Sequence, residues 1–143
     1  MRQTLDRIRA ARQAVRAVLA GAPGDTVFLG SARAWVSFRP VVVGGAAPTL
    51  RLGRCEGRLA RALAPIRAAR WALRHRRVWA ETCGAWRAPE GHVEVDLGTL
   101  SSRRAAPCVL AERGERAGWD LVRECEVAPC GHVHVVRPEA WDR

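Results

Sequence analysis

Apolar residues in this chain recur first with a helical period, then alternate as in strands, return to the helical period, and alternate again. That switching restricts the fold to a mixture of helix and sheet. Over residues 3–20, Ile8, Ala11, Val15, Val18 and Leu19 share one helical face, while Arg2, Arg9 and Arg16 lie on another. Gly21, Pro23 and Gly24 end that helix. Residues 26–53 read as extended. TVFLG and AWVSF flank Gly30-Ser31 closely enough to predict a hairpin. VVV at 41–43 begins a further strand, and TLRLG at 49–53 is expected to pair back across the Gly44-Gly45 break.

The helical period returns over residues 57–78, where Leu59, Ala62, Ile66, Ala69 and Leu73 share a stripe. Pro65 lies inside it and predicts either two helices meeting near residue 64 or one kinked helix, because proline breaks a helix interior. Residues 78–136 are strand-rich. VWAETCGAW and HVEVDLG, separated by RAPEG, predict a second hairpin. The segment 108–127 reads two ways, since LAERGERAG is helical in composition and WDLVRECEV alternates. HVHVV at 132–136 predicts a last strand. A length of 143 residues suits one domain. The expected architecture is a single compact α+β domain, with an N-terminal helix and a helical middle packed on a mainly antiparallel sheet.

Composition narrows the chemistry. The 24 basic residues are all arginine, against 14 acids, and the formal net charge is +10. Lysine, asparagine and tyrosine are absent. A chain without lysine has no Walker A phosphate loop, no Schiff base and no Ser-Lys nucleophile pair. Without tyrosine there is no phenolic nucleophile, and without asparagine there is no Cys-His-Asn triad. A GC-rich coding sequence, such as that of a GC-rich bacterium or its phage, explains part of the arginine excess. No apolar run approaches the roughly 18 residues of a membrane helix, so no membrane partner is expected. The five cysteines cannot all pair within one chain. With no secretion signal they read as reduced thiols in the cytoplasm.

Three constellations are candidates for function. The middle helix carries Arg67, Arg70, Arg74, His75, Arg76 and Arg77 beside Trp71, an arrangement in which guanidinium groups stack on an indole while others reach phosphates. With Arg9 and Arg16 of the first helix, these residues form the expected surface for nucleic acid or an acidic partner. The alternative is that the arginines solvate two amphipathic helices and pair with acids. The second constellation is Cys125, Cys130, His132 and His134. Thiolate and imidazole are the preferred ligands of zinc, and a His-x-His pair on a strand converges on one metal. Against it stands the reading of the cysteines as small hydrophobes and the histidines as solvated. The third places His92, Glu94 and Asp96 on one face of a strand; beside HVHVV they would form a His/carboxylate metal site or an acid-base pair, and otherwise they are a solvated face.

No G-x-S-x-G, H-E-x-x-H or G-x-G-x-x-G signature is present, so no catalytic residues are assigned and an enzyme is not favoured. The leading expectation is a small non-enzymatic binding or regulatory protein acting through arginine-rich helices, with no cofactor. One alternative is a zinc protein, structural or hydrolytic, built on the C-terminal Cys/His cluster. Another is a homodimeric adaptor with a Trp-rich surface.

Overall fold

The computed structural model describes residues 2–30 and 38–131. In chain order the elements are α1 (Arg2–Ala20), β1 (Thr26–Gly30), β2 (Val41–Val43), β3 (Leu50–Gly53), α2 (Arg58–Arg74), β4 (Thr82–Arg87), β5 (Val93–Ser101), α3 (Ala106–Arg113), β6 (Gly118–Asp120) and β7 (Cys125–Val127). Among the described residues all of the strand pairs are antiparallel. The class is the α+β fold that the alternating periods predict. Backbone contacts divide the chain into two compact units, Met1–Gly30 with Ala46–Gly98, and Ser31–Gly45 with Thr99–Arg143.

In the first unit β4 and β5 form the predicted hairpin, with Cys83 opposite Leu97 and Ala85 opposite Val95. Its turn closes through Gly91 N–H to Ala88 O at 2.8 Å, and Gly91 sits at φ 103°, a conformation that favours glycine. β1 adds to the far edge of β4, with Val27 opposite Ala85 and Leu29 opposite Cys83. β3 adds to β5, with Leu50 opposite Val95. TLRLG therefore does not pair across Gly44-Gly45. Period-2 alternation identifies a strand without naming its partner; in β3, Leu52 is buried in the same apolar cluster as Val93 and Val95, and Leu50 packs against that cluster. The expected partner of TVFLG over residues 34–37 lies outside the described residues.

Side-chain alternation places Val93, Val95, Leu97, Cys83, Ala85 and Leu52 on one face of this sheet, and both long helices cover that face. α1 buries Ala11, Ala14, Val15, Val18 and Leu19, the face that its sequence period marks. α2 runs as one helix through Pro65, so the alternative of two helices meeting near residue 64 does not hold. Its buried face is Ala64, Pro65, Ala68, Trp71 and Ala72. The helices are antiparallel neighbours: Arg7, near the start of α1, donates to His75 O just past the end of α2, and Arg61, in the first turn of α2, donates to Leu19 O near the end of α1.

In the second unit β2 is central, pairing with the end of β5 (Val41 opposite Ser101) and with β6 (Val41 opposite Asp120). β6 and β7 form a hairpin in which Asp120 faces Cys125. The segment that reads two ways contains both structures: α3 stops at Gly114, in the left-handed region at φ 69°, and the alternating residues after it form the hairpin. Ala106 and Leu110 of α3 pack against Val41 and Val43. Gly118 allows β6 to approach β2, because a Cβ there would lie 2.8 Å from Val42 O. The predicted strand at 132–136 lies outside the described residues.

Candidate binding surface

Two sets of arginines do different work, apart from those that pair with acids, Arg51, Arg54 and Arg103. One set donates to main-chain carbonyls within the fold. Arg7 Nη1 reaches His75 O and Val78 O, both at 2.8 Å, and its Nη2 reaches Ala80 O at 3.3 Å. Arg87 donates to Gly21 O at 2.9 Å, Arg113 to Val43 O and Gly44 O at 3.1 Å each, and Arg39 Nη2 to Leu100 O at 2.8 Å. Gly21 and His75 follow the last residues of α1 and α2, where helical donors run out, and the guanidinium groups add donors there. Burial lowers the pKa of Arg7, with a smaller opposing effect from Cys83.

The other set faces outward on the two long helices. Arg9, Arg12, Gln13 and Arg16 line a shallow depression on α1. Arg70 and Arg74 flank Leu73 in a second depression on α2, and Arg77 is exposed just beyond. Among the described residues no hydrogen bond or ion pair engages Arg9, Arg16, Arg70, Arg74 or Arg77. Arg67 differs from them, since its Nη1 donates to Leu52 O at 3.3 Å. Trp71 leaves the predicted surface altogether. It is 3% exposed, its Nε1 donates to Pro48 O at 3.1 Å, and its ring lies 5.5 Å from that of His75. A core indole is not a stacking platform for a base. Its place among Ala64, Ala68 and Ala72 follows from the narrow inner face that three alanines leave, where one large ring fills the remaining space.

The stripe Leu59, Ala62, Ile66, Ala69 and Leu73 exists on α2, but it lies opposite the buried face. Leu59 is 73% exposed, Ile66 53%, Leu73 46%, and neighbouring Leu63 42%. α2 therefore has two apolar faces, one of alanine and tryptophan turned inward and one of large aliphatics turned outward. The outward face carries arginines and no acid anywhere between Arg58 and Arg74.

The other constellations are more dispersed. Glu94 and Asp96 lie on the face of β5 opposite the buried Val93, Val95 and Leu97, as alternation requires. Glu94 pairs with Arg51 at 3.8 Å, while His92 meets Glu90 at 3.8 Å and the edge of Trp86 at 5.8 Å. Among the described residues no group of three or more His, Cys, Asp or Glu is placed to hold a metal ion. Cys125 is exposed on β7, whereas Cys130 donates its backbone N–H to Pro107 O at 2.8 Å and its thiol is hydrogen-bonded with that of Cys108. His132 and His134 lie outside the described residues. The Cys108 contact had no signal in the sequence, since the two thiols are far apart in the chain and share no motif spacing.

The remaining cysteines are poor nucleophiles. Burial first, and then the Asp96 charge, push the Cys83 thiol up to about 12, and burial also raises Cys55. Such thiols carry almost no thiolate at neutral pH. No helix among the described residues is long and apolar enough to cross a membrane. No protein-family model matches the chain, and neither does any curated protein or solved structure.

Proposed function

We propose that the chain is a small non-enzymatic binding protein that engages an acidic macromolecule through the outward arginines of α1 and α2. The observation that carries this reading is the division of the arginines. Arg7, Arg39, Arg87 and Arg113 are committed to carbonyls, while Arg9, Arg16, Arg70 and Arg74 have no described partner and sit on exposed helix faces. Charges held at fixed spacing on rigid helices steer an acidic partner, and release counterions where that partner is a polyphosphate. The raised thiols and the lack of a catalytic signature speak for binding rather than catalysis.

Titration of a fluorescent polyglutamate and of a short DNA duplex at low salt tests the reading. Binding that weakens steeply with salt is expected. Arg9→Glu, Arg16→Glu, Arg70→Glu and Arg74→Glu together should flatten that slope. Failure of both probes to bind at low salt overturns it.

A further inference from the structure

We infer that the outer face of α2 docks one acidic, leucine-bearing helix of a partner protein. This rests on the reading that the arginine-rich helices bind an acidic macromolecule, and it names which kind. Leu59, Ile66 and Leu73 recur every seven residues, which places them nearly in line along the helix, roughly 10 Å apart at 1.5 Å per residue. Ala62 and Ala69 fall between them at the complementary heptad positions, and Leu63 widens the stripe. Large side chains alternating with alanine make the knobs and holes that receive a second helix. The same helix already buries its opposite face against its own unit, so the exposed stripe is surplus to the core. Four large exposed aliphatics on one helix face form the kind of patch that marks an interaction site.

Charge selects the occupant. Arg58, Arg70 and Arg74 are exposed on α2, and no acid accompanies them. A second copy of the chain would bring the same arginines against themselves, on two molecules that each carry +10. Nucleic acid would satisfy the arginines but offers its phosphates nothing to cover Leu59, Ile66 and Leu73. A helix with leucines at heptad spacing and Glu or Asp on its flanks satisfies both, as helix-in-groove partners do. The stripe covers about four turns, so a partner segment of similar length spans it.

Fluorescence anisotropy with three probes tests the inference: a synthetic acidic helix with leucine at heptad positions and glutamate on its flanks, a polyglutamate of equal length, and a short DNA duplex. The leucine-bearing helix is expected to bind roughly tenfold or more tightly than polyglutamate, a difference of about 1.4 kcal/mol. Ile66→Ser with Leu73→Ser should remove that advantage while leaving polyglutamate binding unchanged. Both positions are exposed, so circular dichroism should show an unaltered fold; were it altered, Leu59→Ser alone repeats the test. Equal binding of the two peptides overturns the docking inference and leaves the acidic-partner reading intact. Preferential binding of the duplex, insensitive to the serines, overturns it in favour of nucleic acid. A dimer in sedimentation that the serines dissociate overturns it in favour of self-association. Binding of no probe overturns both readings.

Discussion

Arg103 closes on Asp120 with its Nε 2.7 Å from Oδ2, so an arginine that follows β5 holds the last residue of β6. Asp120 is 1% exposed, and its other oxygen accepts the N–H groups of Val122 and Arg123 at 3.0 and 2.9 Å, which fixes the β6–β7 turn. The Arg103 hydrogen bond, strengthened by those two N–H groups, outweighs burial and holds the carboxyl at about 2. An unfolded aspartate titrates near 4. The folded pKa is the lower one, so the stabilisation is complete above about pH 4 and is lost as pH falls toward about 2. Urea unfolding should show Asp120→Asn losing much of the wild-type pH dependence in that window. Asp120→Ala releases Arg103 and the two turn N–H groups to solvent and should cost about 1–2 kcal/mol.

Thiol reactivity should separate the cysteines by burial and by partner. In folded protein, iodoacetamide at mildly alkaline pH should modify Cys108, Cys125 and Cys130 and spare the buried Cys55 and Cys83, with all five reacting in denaturant. Oxidised glutathione should join Cys108 to Cys130. The chain loses two hydrogens, one glutathione disulfide becomes two thiols, and peptide mapping should locate the bond. Cys130→Ser abolishes it. A bond from Cys125 instead would contradict the thiol contact at α3.

The orientation of α2 has a direct mutational signature. Ala68 is fully buried, so Ala68→Leu should overpack the helix contact and cost about 1–3 kcal/mol. Leu59→Ser and Ile66→Ser, although they replace large aliphatics, should each change stability by no more than about 0.5 kcal/mol. Thermal denaturation gives the ranking, and the reverse order would mean that the helix is turned by half a revolution.

In that helix the apolar period does not by itself distinguish the buried side. A helical period reveals that stripes exist, and for α1, which has only one apolar stripe, it also reveals the buried side through Ala11, Val15 and Val18. In α2 two stripes compete. Hydrophobicity alone favours Leu59, Ile66 and Leu73, but the smaller Ala64, Ala68 and Ala72 let α1 approach closely and leave space for Trp71. The β4–β5 hairpin was legible because its turn is local. The pairings of β1 with β4 and β3 with β5 were not, since they join strands separated by α2 and depend on three-dimensional packing. The arginine surface was legible as charge, but a carbonyl clamp such as Arg7, whose acceptors lie about seventy residues away, leaves no local trace.

Those clamps bear on how the composition can change. At a solvated position such as Arg9, exchange for lysine keeps the charge and alters the fold little. Arg7 reaches three carbonyls with both terminal nitrogens of a planar fork, which a single ammonium does not reproduce. Exchange of arginine for lysine is therefore open across the solvated helix faces and closed at this clamp, so that the fold itself fixes part of the basic content as arginine.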